Sequence, residues 1–205
     1  MDSALALEET LFPLDTVITP RREGRDSGKI LDWFKWARSE MYVAHPKEDG
    51  KVCLRYRFVG KGDEDAMFHL ERLENLLKGL EGDGEGVARF VGRGYEEPVM
   101  HMTGMLYLLS ANFVEWINAS PVPRKLIHGI EDVMVGKWIQ EGNLAIDFVE
   151  QGARFHDLPE SDAFSRGEVT RETVVLHWCK DANRMYRCMT ELFGTKWQKD
   201  RVQND

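Results

Sequence analysis

The chain has 205 residues, of which 42% are hydrophobic and 30% are charged, and its formal net charge is -8. This composition is typical of a folded globular domain and excludes a chain that is disordered throughout, and its length suffices for one core without a scaffold of disulfides. The acidic balance argues against a sequence-independent nucleic-acid binder, which needs clustered lysines and arginines.

The sequence contains no recognisable targeting or membrane segment. No apolar run approaches the roughly 18 residues that cross a bilayer, and the opening MDSALALEETLFPLD lacks the basic region and apolar core of a signal peptide. The 3 cysteines include no C-x-x-C pair and do not indicate a disulfide framework. We therefore predict a soluble chain with a single domain over residues 1–205, in which the core spans about 8–195 and a charged tail spans 196–205.

The first half of the chain is predicted to contain both strands and helices. Apolar residues recur at helical spacing after Asp26-Ser27 and again after the acidic run that ends at Asp65, which predicts two amphipathic helices. The glycine-rich GLEGDGEG follows a helix and precedes a strand, the reverse of the order in a dinucleotide-binding loop, so we interpret it as a solvated turn. The predicted elements of this half are strand 16–19, helix 28–41, strand 52–59, helix 67–80 and strand 87–91.

The second half continues the alternation of strands and helices. Ser110 is predicted to cap one helix and Asp181 another, which Gly194 then ends. The alternation indicates an α/β domain. The predicted elements are strand 102–109, helix 111–118, helix 130–141, strand 144–148, loop 156–166, strand 173–178 and helix 182–193.

Two aspartates directly follow the predicted strand at 52–59. Residues i and i+2 of an extended segment point the same way, so Asp63 and Asp65 can reach one hard cation or a sugar hydroxyl, while Glu64 faces away. Mg²⁺ and Mn²⁺ favour a few carboxylates together with phosphate oxygens. An isolated D-x-D is more often a solvated acidic turn, and the residues by themselves leave both interpretations open.

Three further positions have a functional and a structural interpretation. Glu131-Asp132 begins a helix, and the dipole at the helix N-terminus keeps a carboxylate ionised. This position suits a general base, but it equally suits an ordinary acidic first turn. His177 lies within the predicted apolar strand TVVLHW, where it is either a metal ligand or a histidine buried in the core. Gly104 lies inside a strand, where glycine often marks the close approach of a ligand or of another backbone, and where a bulge is the structural alternative.

The order of these motifs resembles that of a known enzyme family. Four segments follow one another along the chain: FVGKGDEDAMF, YEEPVMHMTGMLYLLS, IEDVMVG and VLHW. They resemble, in the same order, four motifs of the family-31, galactosyltransferase-like β1,3-glycosyltransferases. Those motifs are a K-T-D-D-D-V-F strand end, a Y-P-x-Y…G-x-G-Y-V-L-S strand, E-D-V-x-x-G and a C-terminal histidine. The helix DSGKILDWFKWARSE also resembles the family's D-S-Y-x-N-L-T-L-K-T helix, so the resemblance spans roughly residues 8 to 180. It implies a GT-A fold, a Rossmann-like α/β sandwich with a mostly parallel sheet.

The resemblance also implies a role for each matched residue in binding the sugar donor. Asp65 and His177 resemble the residues that hold Mn²⁺, or Mg²⁺ in its place, on the diphosphate of UDP. Asp63 resembles the aspartate beside the ribose of the nucleotide. Gly104, together with Glu131, is placed at the donor site.

Asp132 resembles the family's catalytic base. The implied function is inverting transfer of a hexose or N-acetylhexosamine from a UDP-sugar to a hydroxyl of a glycan, glycoprotein or glycolipid, with a β1,3 linkage. The family works in the Golgi lumen or at its membrane. Neither a nucleic-acid partner nor a membrane span within this chain is expected.

The sequence departs from the family mainly at its N-terminus. Only 62 residues precede Asp63, and the family's R-x-x-x-R-x-T-W strand and helix, its membrane anchor and its stem have no counterpart. We therefore expect an N-terminally truncated member without the first nucleotide-binding strand, which is cytoplasmic if Met1 is the true start. Gly104-Met105 also replaces the family's Gly-Tyr pair. Two alternatives are a non-catalytic relative that survives as a binding or remnant domain, and an unrelated metal-binding α/β protein.

Overall fold

The computed structural model describes residues 26–80, 86–159 and 167–194, together with Thr10 and Gly24. The predicted strand at 16–19, most of the glycine-rich turn and the charged tail lie outside these residues. The described part contains helices α1 (Lys29–Glu40), α2 (Leu70–Gly79), α3 (Ala111–Ala119), α4 (Val122–Lys125), α5 (Glu131–Glu141) and α6 (Ala182–Phe193), and strands β1 (Tyr42–Ala44), β2 (Val52–Leu54), β3 (Phe58–Gly62), β4 (Met67–Phe68), β5 (Ala88–Tyr95), β6 (His101–Ser110), β7 (Ile146–Glu150), β8 (Phe155–Asp157) and β9 (Val175–His177).

The strands form three sheets in the described residues. The central sheet has the order β3-β6-β5-β7, in which β6 is antiparallel to both β3 and β5, and β7 is parallel to β5. The second sheet has the order β4-β9-β8, in which β9 is antiparallel to β4 and parallel to β8. β1 and β2 form a separate antiparallel hairpin.

The α/β class is confirmed, but the expectation of a mostly parallel sheet is wrong for the described residues. Four of the six strand pairings are antiparallel. β5 and β6 are joined by residues 96–100 alone, a connection too short for the crossover that parallel strands need. The strand pairs β5–β7 and β8–β9 have longer connections and are parallel.

The central sheet is covered on both faces, and strand β6 shows why its sequence is almost continuously apolar. Tyr107 and Leu109 point to the side packed by helices α1, α3 and α5, where Phe34, Phe113 and Trp138 are buried. Leu106 and Leu108 alternate with them and pack toward α2, β8 and β9. A strand buried on both faces carries apolar residues at successive positions rather than at alternate ones.

Most predicted helices are confirmed, and the differences concern the ends of elements. The helix predicted at 67–80 begins at Leu70, because Met67 and Phe68 pair with β9 as β4. Asp181 caps α6 by accepting a hydrogen bond from the Arg184 backbone. Ser110 occupies the N-cap position of α3 without capping it, because its hydroxyl accepts from the Arg89 backbone instead.

Two other sequence predictions are wrong in part. The strand predicted at 52–59 is two strands, β2 and β3, which belong to different sheets and are separated by residues 55–57. The loop predicted at 156–166 begins inside β8, which includes His156 and Asp157. In both cases the outcome depends on the partner strands, which the segment itself does not specify: β2 pairs with β1, β3 with β6, and β8 with β9. No helix in the described residues has the length and apolar character to span a bilayer.

Candidate functional site

An open cleft of about 790 Å³ lies where β3 and β9 end and α5 begins. Three lysines line it: Lys29, Lys61 and Lys180. All the site residues predicted from the sequence line it as well, namely Asp63, Asp65, Gly104, Glu131, Asp132 and His177.

The strand pairings explain how these distant residues meet. Asp63 and Asp65 belong to the turn between β3 and β4, and β4 pairs with β9, which ends at His177. The Asp63 backbone N–H donates to the Met105 carbonyl of β6, at 3.4 Å. The Cys179 backbone N–H donates to the Asp65 carbonyl, at 2.9 Å, and fixes the turn against the segment after β9.

Asp63, Asp65 and His177 form a cluster that can hold a metal ion. One ligand atom from each residue lies within 4.8 Å of the other two. Nε2 of His177 lies 3.0 Å from Oδ1 of Asp65 and 3.6 Å from Oδ2 of Asp63. Oδ2 of Asp65 is buried and has no hydrogen-bond partner, although the Lys180 ammonium lies 3.3 Å away as an ion pair. A buried carboxylate oxygen without a hydrogen bond is costly, and two carboxylates with one imidazole form a donor set that suits Mn²⁺.

Asp157 contacts the side of the His177 ring that faces away from Asp65, although the sequence predicted a loop at Asp157. Oδ1 of the buried Asp157 lies 2.5 Å from Nδ1 of His177. Burial lowers the pKa of His177, but this hydrogen bond and the charges of Asp65, Asp157 and Asp63 outweigh it, so the pKa is raised above its ordinary value. The signal in the sequence was an acidic residue within the apolar run FHDL, which is weak without knowledge of the neighbouring strand.

A chain of polar contacts connects the cleft to the core. Lys61 Nζ lies 2.5 Å from Oδ1 of Asp63 and 2.8 Å from Oε2 of Glu131, while the Tyr107 hydroxyl donates to Oε1 of Glu131 at 2.6 Å. Burial lowers the pKa of Lys61, but Glu131 and Asp63 outweigh it and raise the pKa. Both carboxylate oxygens of Glu131 are thus engaged within the protein.

Asp132 is held by backbone N–H groups. Its Oδ2 accepts from the Gly104 N–H at 3.2 Å, and its Oδ1 accepts from the Val133 N–H at 2.8 Å. These contacts fix the carboxylate at the first turn of α5, at the edge of the cleft.

The structure supports the bulge as an explanation for glycine at position 104, and it adds a contact with a side chain. The register between β5 and β6 shifts around it, from Gly92 opposite Tyr107 to Gly94 opposite Met102. A Cβ atom on Gly104 would also lie 3.0 Å from Oδ2 of Asp63, tighter than most real contacts. A side chain there would push against the Asp63 carboxylate of the candidate metal cluster.

The segment after His177 is locally strained and held in place. Trp178 has a φ of 72°, in the left-handed region that costs a non-glycine residue about 1–2 kcal/mol. The Lys180 ammonium lies 4.1 Å from the centre of its ring. The next residue, Cys179, forms a disulfide with Cys188 of α6, while Cys53 is a free thiol. The strain therefore persists because both sides of the segment are anchored.

No protein-family model matches the chain, and no curated protein matches it. Its function is therefore inferred from the cleft and from the order of the motifs.

Proposed function

We propose that the protein is an inverting glycosyltransferase that moves a hexose or N-acetylhexosamine from a UDP-sugar to a hydroxyl of a glycan acceptor, with Mn²⁺ or Mg²⁺ as its cofactor. The main support is that four motifs, dispersed from residue 58 to residue 178, converge on one cleft. The cleft holds a candidate metal cluster at Asp63, Asp65 and His177 and a separately held carboxylate at Asp132.

The divalent cation would be held by Asp63, Asp65 and His177. The donor set supports this assignment, because two carboxylates and one imidazole offer ligand atoms within 4.8 Å of one another. When bound, the cation would offset the negative charge that develops on the leaving diphosphate. Lys180, which already pairs with Asp65 at the cleft wall, adds a positive charge for an anionic donor.

Asp132 would act as the general base. The hydrogen bonds from the Gly104 and Val133 N–H groups orient its carboxylate, and the N-terminus of α5 favours the ionised form. It would take the proton of the acceptor hydroxyl while that oxygen bonds to the anomeric carbon. The bond between the anomeric carbon and the diphosphate oxygen breaks, UDP leaves, and the configuration at the anomeric carbon inverts.

The proposal includes membership of the family-31 glycosyltransferases, a GT-A type of α/β fold and a place in the Golgi lumen. The Cys179–Cys188 disulfide supports a secretory location, because disulfides persist in oxidising compartments. The β1,3 linkage rests on the resemblance alone.

The first test measures UDP binding by calorimetry with and without Mn²⁺. We expect Mn²⁺ to strengthen UDP binding in the parent and to have no such effect in Asp65→Ala. Asp147→Ala is the matched control, because Asp147 is an exposed strand aspartate that pairs with Arg89 away from the cleft. Mn²⁺ binding that leaves UDP affinity unchanged would instead favour an unrelated metal-binding protein.

The second test separates an enzyme from a non-catalytic relative. Asp132→Asn keeps the shape of the side chain but cannot take a proton, so transfer should fall by roughly 10²–10⁴-fold. Affinity for the UDP-sugar should hardly change, because the base faces the acceptor. The assay uses several UDP-sugars and glycan acceptors. Metal-dependent UDP binding without any transfer by the parent would favour the non-catalytic relative.

A further inference from the structure

We propose that Asp157 is a positioning residue that orients the His177 ring and thereby sets the affinity of the cleft for a divalent cation. This inference rests on the proposed metal site. Asp157 does not line the cleft, so it would act through His177 alone.

The strand register places the two side chains together. β8 and β9 are parallel, and Asp157 is the direct partner of His177 in that pairing. The Asp157 carboxylate lies 2.5 Å from Nδ1, and the opposite nitrogen of the ring, Nε2, lies 3.0 Å from Asp65. A ring that donates its Nδ1–H to a carboxylate presents the lone pair of Nε2 on the other side, toward the cleft.

The burial of Asp157 supports a positioning role toward His177. Asp157 is only 2% exposed, and its neighbours in the sequence, His156 and Leu158, are buried as well, as is Phe155 at the start of β8. A carboxylate in such surroundings costs stability unless a hydrogen bond or an opposite charge compensates it. The compensation that the described residues provide is the His177 ring. Core packing alone would be served better by an apolar side chain at this position.

The chemical consequence concerns the basicity and the orientation of Nε2. A carboxylate behind a ligating histidine fixes the tautomer of the ring and makes the ligating nitrogen a better donor. Loss of such a partner typically weakens metal binding by 10–100-fold. A purely structural aspartate would change the free energy of unfolding and leave the metal affinity of the folded protein unaltered.

The test measures the affinity for Mn²⁺ alone, by calorimetry on the full chain, in the parent and four variants. Asp157→Leu removes both the charge and the acceptor, and we expect roughly 10–100-fold weaker binding. Asp157→Asn keeps an oxygen that can accept from Nδ1–H, so a smaller loss is expected. Asp147→Asn should bind Mn²⁺ as the parent does. Asp65→Ala reports on the metal site itself, because it removes a proposed ligand.

The variants distinguish failure of this inference from failure of the proposed function. If Asp65→Ala abolishes Mn²⁺ binding while Asp157→Leu binds as tightly as the parent, Asp157 has no positioning role. If the parent itself does not bind Mn²⁺, the metal site is wrong and the inference falls with it. Nitrogen chemical shifts of His177 give a readout that does not depend on the metal. The neutral ring should carry its proton on Nδ1 in the parent, and a proton on Nε2 would overturn the inference even if Asp157→Leu failed to fold.

Discussion

Replacing Tyr107 by phenylalanine tests whether the contacts between the core and the cleft are energetically important. The side chain is completely buried, and its hydroxyl donates to Glu131 at 2.6 Å. Phenylalanine fills the same space, so the change removes one hydrogen bond without making a large cavity. A buried acceptor that loses its donor costs about 1–3 kcal/mol.

The exposure of Glu131 places the expected loss in the lower part of that range. Its side chain is 12% exposed, and Lys61 still pairs with its other oxygen, so water and the lysine offset part of the loss. We expect the free energy of unfolding to fall by about 1–2 kcal/mol. For a chain of this length the Tm then falls by roughly 2–8 °C.

Urea denaturation and thermal melting of Tyr107→Phe measure this loss directly. Tyr56→Phe is the matched control, because Tyr56 is 41% exposed and should change stability by less than about 0.5 kcal/mol. Equal stability of the parent and Tyr107→Phe would show that the contact with Glu131 contributes nothing measurable.

The same variant gives a second result at alkaline pH. Burial, followed by the charge and hydrogen bond of Glu131, raises the pKa of Tyr107 well above its ordinary value. A tyrosine in the unfolded chain loses its proton near pH 10, whereas the folded protein keeps it. The stabilisation is therefore complete below about pH 10 and is lost as the pH rises. Urea midpoints measured across this range should fall less steeply in Tyr107→Phe than in the parent, and identical slopes would contradict the assignment.

The disulfide, a close helix–strand contact and the proposed metal site each lead to a further measurable expectation. Reducing the disulfide between Cys179 and Cys188 should lower the free energy of unfolding by about 2–3 kcal/mol in melts with a phosphine reductant, because it closes a short loop. Gly136→Ala should cost about 1–3 kcal/mol, since its Cβ would collide with a backbone carbonyl next to β6, whereas Gly79→Ala, which has open space around it, should not destabilise. Mn²⁺ at 100 times its Kd should stabilise the parent by about 2.7 kcal/mol, and Asp65→Asn should lose most of that gain.

Local periodicity predicted the helices well because the spacing of apolar residues within each segment defines the face that the helix buries. The residues at 30, 31, 34 and 37 recur at helical spacing and are the buried residues of α1. Strand pairing is not local, and this is where prediction failed. VCLRYRFV has the composition of one strand, yet its two ends pair with β1 and with β6, which form different sheets. Nothing within the eight residues specifies the break.

Sequence motifs predicted some residues of the candidate site but not the contacts around them. The order of the motifs led to Asp65, Asp132 and His177, which line one cleft. Lys61 lies within the first motif but was given no role, and Asp157 lies outside the motifs, because the role of each depends on which strand and helix lie beside it. Each follows from the tertiary structure: Lys61 reaches α5 from β3, and Asp157 faces β9 from β8.

The carboxylates of the cleft differ in what neutralises them, and this difference favours two separate roles. Asp63 and Asp65 contact cationic or protonatable groups, namely Lys61, Lys180 and His177. Asp132 is held instead by two backbone N–H groups, which fix its direction without supplying a full positive charge.

A carboxylate bound to a cation is a poor base, whereas one oriented by neutral donors keeps the ability to take a proton. Acid–base assignments in enzymes follow such differences in environment between neighbouring groups of the same type. The separation is built from chain segments more than 60 residues apart, the turn after β3 and the first turn of α5. If Mn²⁺ bound at Asp132 instead, Asp132→Asn would weaken Mn²⁺ binding as strongly as Asp65→Asn does, and the division of roles between metal ligand and base would be wrong.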